Sequence, residues 1–251
     1  MFDMRDLYLG LKFTFSYFSI LPIYFSTTDN LTKPSILGFM LFFLPLVGLV
    51  LGGMSIALYI LLEHLAWYAG LIAAISYMML YGFIHTEAII DVADALYAKH
   101  SGKDAYAVIK DPTVGAMGVL WGISMLLVKI AGVMLLLTAK QYALFLSVLI
   151  ISRLGLLLLV FSQDFRSSFL DSLQEAFKPK YFITSMMLFI IVGLYMITWK
   201  FLLLLSLGLM LSYLIASSLK KQLGFINGDV LGTTLESVEI LLLICISILW
   251  L

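Results

Sequence analysis

Long apolar runs constrain the fold of this chain more than any other feature of its sequence. A helix needs about 17–25 mostly apolar residues to cross a bilayer, and seven stretches qualify: 36–62, 65–84, 115–138, 141–161, 181–198, 201–219 and 235–251. Hydrophobic residues make up 63% of the 251 residues and charged residues 12%, whereas an ordinary soluble chain is about half apolar and about a quarter charged. The sequence therefore predicts an all-α integral membrane protein, a polytopic helical bundle of about seven transmembrane spans.

The N-terminal stretch at residues 7–25 has two interpretations. It is apolar enough to suggest another span, but it carries Lys12 and meets Pro22, so an interfacial or re-entrant helix fits equally well. It lacks the basic start, short apolar core and small-residue cleavage site of a removable signal peptide. Because no internal repeat or soluble insert is found, we expect residues 1–251 to form a single transmembrane domain.

The cysteine content and the net charge exclude several classes of site. Cys245 is the single cysteine and lies in the last predicted span, so neither a disulfide within the chain nor a CxxC metal site can form. The formal net charge is zero at pH 7, and no basic field therefore favours a nucleic acid as partner. The expected surrounding is the lipid bilayer, and the sequence leaves homo-oligomer formation open.

Basic residues are distributed unevenly over the connections between the predicted spans. One side has only Lys140 and Lys200, whereas the side that follows the second span collects Lys33, Lys99, Lys103, Lys110, Arg166, Lys178, Lys180, Lys220 and Lys221. Because short cytoplasmic loops carry an excess of Lys and Arg, we expect this second side to face the cytoplasm. The expected location is a bacterial inner membrane or an archaeal plasma membrane.

The stretch HTEAIIDVADA, residues 85–95, places three carboxylates at the end of the second apolar run. Glu87, Asp91 and Asp94 are spaced i, i+4 and i+7, so on a helix that continues out of the span they share one face. Like charges at a membrane boundary repel one another unless a cation neutralises them, and hard divalent cations prefer oxygen ligands. A solvated helix end explains the same residues without a metal, and His85 alone is typical of a hydrogen-bonding boundary residue.

The stretch KDPTVGAMG, residues 110–118, precedes the third span. A helix that begins here would direct its free N–H groups and positive dipole end towards the cytoplasm, an arrangement that suits a phosphate. Lys110 would add positive charge, Asp111 would add a fourth carboxylate, and Gly115 and Gly118 would allow close approach of a ligand. A proline-started helix with packing glycines explains the motif equally well.

The stretch GFINGDVLGTTLESVE, residues 224–239, leads into the last span. Asn227 and Asp229 lie in its glycine-rich turn, and Glu236 and Glu239 follow one helical turn apart. Carboxylates inside a membrane segment indicate a functional site, although acids near a helix start are also favoured by the dipole alone.

Two basic residues lie inside predicted spans. Arg153 belongs to the fourth span, and we expect its partner to be an acid or a phosphate group. Lys129 belongs to the third span, where we expect its long side chain to snorkel towards the membrane surface.

Taken together, these motifs resemble the cobalamin-5'-phosphate synthases, also called adenosylcobinamide-GDP ribazoletransferases. The resemblance covers nearly the whole chain, and its motifs occur in the family's order. They are LPLVGLVLG at 44–52, the histidine with spaced acids, the Lys-Asp with glycines, Ser152 with Arg153 in place of a Gly-Arg pair, and GDVLGTTLESVE.

The chain departs from the family's usual pattern at several positions. Glu87 stands where the family usually has Asp, Ala88 and Ala95 where it has Gly, Thr113 where Arg is frequent, and Asn227 where Thr is frequent. A Glu keeps a carboxylate but extends its reach by one methylene group. We therefore expect retained activity with an altered metal geometry, and an inactive relative is the alternative.

The resemblance implies an enzyme that transfers the cobinamide-phosphate part of adenosylcobinamide-GDP to α-ribazole or its 5'-phosphate and releases GMP, with Mg²⁺ as cofactor. The implied metal ligands are Glu87, Asp91, Asp94 and Asp111. The implied phosphate contacts are Lys110, also assigned a catalytic role, and Arg153, while the general base is Asp94 or Asp229. The remaining substrate-binding candidates are His85, Gly115, Gly118, Asn227, Gly228, Glu236 and Glu239.

Two alternative functions remain open at the level of sequence. An ion-coupled transporter would also place acids and an arginine inside the membrane, but no pair of broken helices repeats between the two halves. A CDP-alcohol-type phosphotransferase performs comparable chemistry. Its pattern requires an Asp-Gly start and a later Gly-x-x-x-Asp-x-x-x-Asp element, which this sequence lacks.

Overall fold

The computed structural model describes residues 3–250 as a bundle of α-helices. No strand occurs within these residues, and the predicted all-α class is confirmed. The helices, with a 3₁₀ turn at Glu63–Leu65 between α3 and α4, are α1 Met4–Phe18, α2 Pro34–Phe42, α3 Leu44–Leu61, α4 Trp67–Leu80, α5 Ile84–His100, α6 Ala105–Lys110, α7 Ala116–Thr138, α8 Tyr142–Ser162, α9 Ser168–Ala176, α10 Pro179–Ile197, α11 Lys200–Leu223 and α12 Gly228–Leu249.

Six helices, α3, α7, α8, α10, α11 and α12, are long and apolar enough to cross a membrane. The pair α4 and α5 passes the same test together, which gives up to seven crossings and agrees with the predicted number. The first predicted span is divided at Phe43 into α2 and α3. Pro45 in the first turn of α3 explains the division, because proline has no N–H to bond the carbonyl of Leu41.

The sequence suggests that the helix with the three spaced acids continues out of the second span. The structure shows a break and a bend there instead. α5 is bent by 79° from α4. Gly82 and Phe83 both have positive φ, at 66° and 55°, a conformation that costs little for glycine but about 1–2 kcal/mol for a side chain such as phenylalanine. The bend turns α5 into a separate helix that packs mainly against α12 and α7.

The N-terminal helix α1 has 15 residues and is not among the candidate spans. It packs against α2, where Gly10 lets the backbone of α1 approach Phe39. The hydroxyl of Thr14 donates hydrogen bonds to the carbonyls of Gly10 at 2.8 Å and Met40 at 2.9 Å. Helix α1 thus packs beside α2 and is shorter than each of the candidate spans.

The acid-bearing connections meet at one end of the bundle. Residues 81–115, 163–178 and 224–227 connect the spans at this end, whereas residues 62–66, 139–141 and 198–199 connect them at the other. Helix α8 is the most buried of the candidate spans and packs against α3, α10, α11 and α12. The candidate site therefore lies at one end of a core built around α8.

Candidate functional site

The acidic face of α5 lies against the start of α12. Glu87 is exposed, whereas Asp91 and Asp94 are half-buried. Asp91 interacts electrostatically with the carboxylates of Asp229, Glu87 and Asp94, and with the ammonium group of Lys110. The structure therefore brings together acidic side chains and one basic side chain, Lys110, from three of the sequence motifs.

Asp94 is held by the start of α7. Its Oδ2 accepts a hydrogen bond from the backbone N–H of Gly115 at 2.5 Å, and its Oδ1 accepts one from that of Gly118 at 2.7 Å. A Cβ atom at either glycine would overlap the Asp94 carboxyl group. The positive end of the α7 dipole, expected to be open to a phosphate, is instead satisfied by a carboxylate of the protein.

Asp111 and Lys110 belong to the segment that leads into α7. Oδ1 of Asp111 accepts hydrogen bonds from the hydroxyl group of Thr113 at 2.7 Å and from its backbone N–H at 2.9 Å, and these bonds lower the pKa of Asp111. The Lys110 ammonium lies 5.9 Å from the centre of the Tyr106 ring. Asp111 and Asp94 line the same open cavity of about 390 Å³.

The predicted metal ligands are not assembled as a set. Within residues 3–250, no group of three or more His, Cys, Asp or Glu side chains is placed to hold a metal ion. Asp94 is bonded to α7 and Asp111 to its own turn, while no described side chain donates a hydrogen bond to Glu87 or Asp91. The magnesium site stays a prediction. Glu87 and Asp91 are the two predicted ligands whose carboxylate oxygens receive no side-chain hydrogen bond from the described residues.

Asn227 begins α12 and orients Asp229. Its Oδ1 accepts a hydrogen bond from the backbone N–H of Val230 at 3.1 Å, which is the usual role of an N-cap residue. Its Nδ2 donates to Oδ2 of Asp229 at 2.7 Å. Asn227 is buried and Gly228 beside it is exposed. The geometry gives Asn227 a positioning function, while Asp229 remains half-buried beside the acids of α5.

A second cavity, of about 170 Å³, adjoins Asp229 and Gly228. His85 forms part of its wall and is buried, with its ring centre 5.6 Å from that of Tyr81 and 6.3 Å from that of Phe18. His85 and Asp229 therefore line the same cavity, and the substrate contact of His85 stays a prediction.

Lys129 does not snorkel to the membrane surface, which corrects the expectation from the sequence. Its ammonium lies 2.7 Å from a carboxylate oxygen of Glu236 and 2.7 Å from one of Glu239. Arg153 forms an ion pair with Glu239 as well, so the predicted acid partner of Arg153 is found. Two cations and two anions neutralise one another inside the bundle, which offsets the cost of removing them from water.

The same buried cluster includes two tyrosines that the sequence analysis missed. Arg153 donates a hydrogen bond to the hydroxyl of Tyr77 at 3.0 Å, and Lys129 donates one to the hydroxyl of Tyr81 at 3.2 Å. Tyr81 also shares a hydrogen bond with Thr86 in the first turn of α5, at 3.1 Å. The four-residue spacing of the tyrosines in an apolar run was the available signal.

The arrangement separates the candidate residues into two layers. Arg153 is 2% exposed, and Glu236 and Glu239 are equally buried, so none of the three lies on the acidic face of α5. His85 stands between the layers, since it lines the cavity beside Asp229 and interacts electrostatically with Arg153, Lys129 and Glu239. The inner layer is closed off from the surface, whereas the acids of the outer layer are exposed or half-buried.

Comparison with known proteins gives a consistent result. The family model described as cobalamin-5-phosphate synthase matches residues 10–247. An adenosylcobinamide-GDP ribazoletransferase of Clostridium perfringens is 27% identical, with 94% of this chain and 96% of the relative covered. Relatives of the same name from Brevibacillus brevis and Caldanaerobacter subterraneus subsp. tengcongensis are each 29% identical. The matched region is 82% of this chain in both cases, and 87% and 86% of the respective relatives. No solved structure matches.

Proposed function

Since this chain belongs to the cobalamin-5-phosphate synthase family, we propose that it is an adenosylcobinamide-GDP ribazoletransferase of the membrane. It joins adenosylcobinamide-GDP to α-ribazole or its 5'-phosphate and releases GMP. The observation that carries this function is the family match over residues 10–247, which contains both the acidic face of α5 and the buried cluster.

The reaction is a phosphoryl transfer across a pyrophosphate. The ribose hydroxyl oxygen forms a bond to the phosphorus that carries cobinamide, and the P–O bond to GMP breaks. GMP leaves with the bridging oxygen and its electron pair, while the hydroxyl proton passes to a base. Such a reaction depends on positioning and on neutralising charge at the phosphates.

Asp229 is the better placed of the two carboxylates assigned as general base. Both oxygens of Asp94 accept hydrogen bonds from the backbone of α7, so we assign Asp94 a positioning role. Asp229 lines a cavity and uses only Oδ2 for its bond to Asn227. Its Oδ1 receives no hydrogen bond from the described residues and is the proposed proton acceptor.

Mg²⁺ is the proposed cofactor, and the residues on the acidic face fit it. The donors are oxygens, and the ammonium group of Lys110 interacts electrostatically with Asp91. Protein-bound Mg²⁺ often uses one or two carboxylates and takes further ligands from substrate phosphates and water. Glu87 and Asp91 would hold the ion, which would supply positive charge to the diphosphate. Lys110 would add a point charge beside it.

The buried cluster has a positioning role in this proposal. Lys129 on α7, Arg153 on α8 and the glutamates on α12 join three spans, and Tyr81 joins them to α5 through Thr86. We therefore assign Arg153 to the support of α5 and α12 rather than to a phosphate.

The acidic end of the bundle is proposed to face the cytoplasm. Seven lysines lie in its connections or at the adjoining helix ends, whereas the opposite end has Lys140 and Lys200, and such asymmetry sets orientation in membranes. The seven are Lys99, Lys103, Lys110, Lys178, Lys180, Lys220 and Lys221. The host membrane is proposed to be a bacterial inner membrane or an archaeal plasma membrane.

The function is tested with detergent-purified protein, adenosylcobinamide-GDP, α-ribazole and MgCl₂. Formation of GMP together with a joined corrinoid product is the expected result. Uptake of substrate into sealed vesicles without GMP formation would instead indicate a transporter. Transfer from a CDP-alcohol, with adenosylcobinamide-GDP inert, would indicate the other phosphotransferase class.

A further inference from the structure

The cavity beside Asp229 lies between helices that are far apart in the chain. Its volume is about 170 Å³, and it is lined by α1, α5, α8, α9 and α12, with Leu41 of α2 and Leu44 of α3 also contributing. Sites that hold a whole drug-sized ligand usually measure about 300–1,000 Å³. This cavity therefore has room for one ring system rather than for a complete nucleotide.

One wall of the cavity is aromatic. The rings of Tyr17 on α1 and Phe169 on α9 are stacked, with centres 5.5 Å apart and planes 28° apart. Phe18 lies beside Tyr17, at 4.8 Å between ring centres, and faces His85. Aromatic side chains that stack with a planar base are a common way to bind nucleosides without reading hydrogen-bonding groups.

The aromatic wall meets the proposed general base. Burial raises the pKa of the Tyr17 phenol, and the negative charge of Asp229 nearby raises it further. Tyr17 is still 42% exposed, so a ligand can reach its ring from outside the bundle. A planar ring placed here would lie next to the carboxylate that accepts the proton of the attacking hydroxyl.

Most of the remaining lining is apolar. Leu41, Leu44, Leu156, Val160, Leu170 and Leu173 contribute to it, and the side chains that can form hydrogen bonds are those of Asp229, His85 and Tyr17. Guanine has donors and acceptors along most of its edge, and it would leave several of them unpaired in such a cavity, at a cost. A base with few polar groups would avoid this cost.

We propose that this cavity binds the aromatic base of the acceptor α-ribazole, with Tyr17 and Phe169 as the stacking residues that determine acceptor affinity. The inference rests on the proposed function, since it identifies where one substrate of that reaction lies. It also gives α1, which is not among the candidate spans, a direct part in the site.

The test measures KM separately for the two substrates in steady-state GMP release. Tyr17→Ala and Phe169→Ala should each raise the KM for α-ribazole by about 10-fold, the scale of one base–aromatic stack. The KM for adenosylcobinamide-GDP should change by less than about two-fold. Tyr17→Phe keeps the ring and should raise the KM for α-ribazole far less than Tyr17→Ala. Tyr195→Ala is the matched control, because Tyr195 is 91% exposed on α10 and lines none of these cavities.

Each outcome decides the proposal. A rise in KM confined to adenosylcobinamide-GDP, or equal for both substrates, would overturn it, as would unchanged KM values in both alanine variants. If an alanine variant does not fold, equilibrium binding of labelled α-ribazole is measured with Tyr17→Phe and Phe169→Leu instead. Phe169→Leu should bind α-ribazole more weakly than Tyr17→Phe does. An affinity of Phe169→Leu equal to that of wild type would contradict the proposal. Wild-type protein that forms no GMP but still binds α-ribazole through these residues would refute the proposed function and leave the base site intact.

Discussion

Oδ1 of Asp94 accepts a hydrogen bond from the backbone N–H of Gly118 at 2.7 Å, although the two residues are 24 positions apart. The other oxygen accepts one from Gly115. A carboxylate at a helix N-terminus is favoured by the helix dipole and by charge-assisted hydrogen bonds. One of the acids that the sequence assigns to a metal thus fastens α5 to α7 and sets the position of the others.

Gly118→Ala should lower the melting temperature of the protein. The added Cβ would lie 2.6 Å from the Asp94 carboxyl group and 2.6 Å from the carbonyl oxygen of Ile90, so α5 and α7 must move apart at a cost of about 1–3 kcal/mol. Thermal unfolding in detergent measures the loss. Gly53→Ala on α3 is the control, since its Cβ would meet no atom within 4 Å. Equal melting temperatures for the two variants would contradict the close packing.

Asp91→Asn should reduce turnover by a factor on the order of 100, because it removes a ligand that stabilises the transferring diphosphate. The fold should persist, since Asp91 receives no hydrogen bond from a described side chain. The rise in melting temperature on adding Mg²⁺ should shrink, because weaker binding stabilises the folded state less. Near-normal GMP release with an unchanged Mg²⁺ response would rule out a metal at this residue.

Glu87 provides a matched pair of variants on the same face. Glu87→Asp restores the residue that the family usually has and should remain active, whereas Glu87→Gln removes the negative charge and should impair GMP release. Rates measured over a range of MgCl₂ concentrations should show a higher Mg²⁺ requirement for Glu87→Gln. Equal Mg²⁺ requirements for the two variants would argue against a ligand role.

Lys129→Met should be strongly destabilising, because it leaves Glu236 without a cation and Glu239 with Arg153 alone. Breaking a buried ion pair typically costs about 3–5 kcal/mol. Adding Glu236→Gln to Lys129→Met removes the unpaired charge and should recover part of the loss, which a double-mutant cycle of unfolding free energies measures. If Glu236→Gln changed the free energy of unfolding equally in wild type and in Lys129→Met, the two residues would not be coupled.

The attachment of α1 should weaken in acid. Burial alone would raise the pKa of Asp6, but the hydrogen bonds and charge of Lys33 and the hydrogen bond of Ser35 outweigh it, so this pKa lies below its usual value. A lowered folded-state pKa contributes stability above the unfolded-state value of about 3.9 and loses it as pH falls through the folded-state value. Asp6→Asn should therefore speed proteolysis near α1 at pH 7, and its difference from wild type should shrink as the pH falls below about 3.9. Glu175→Gln, at an exposed acid, is the control, and a pH-independent effect of Asp6→Asn would contradict this reading.

Lys103→Cys in a Cys245→Ala background should react with an impermeant thiol reagent only from the cytoplasmic side. Lys140→Cys, in the connection at the opposite end of the bundle, should show the reverse pattern. Labelling of intact cells and of inverted vesicles distinguishes the two sides. Reaction of Lys103→Cys in intact cells would invert the proposed orientation.

The sequence alone determined the features that depend on local composition and helical period. Apolar length predicted the spans, and the i, i+4, i+7 spacing predicted that Glu87, Asp91 and Asp94 share one face of α5. The motif order also indicated the family. These features follow from 3.6 residues per turn and from the cost of exposing polar backbone to lipid, which act on neighbouring residues and can be read along the chain.

Only the tertiary structure decided which partner each charged group has. Asp94 is bonded to the start of α7, and Lys129 is paired with glutamates more than 100 positions away rather than with the membrane surface. The cavity walled by Tyr17 and Phe169 likewise joins helices at opposite parts of the chain. A buried charge takes the partner that packing brings within about 3 Å, and packing depends on the whole bundle, including the 79° turn between α4 and α5.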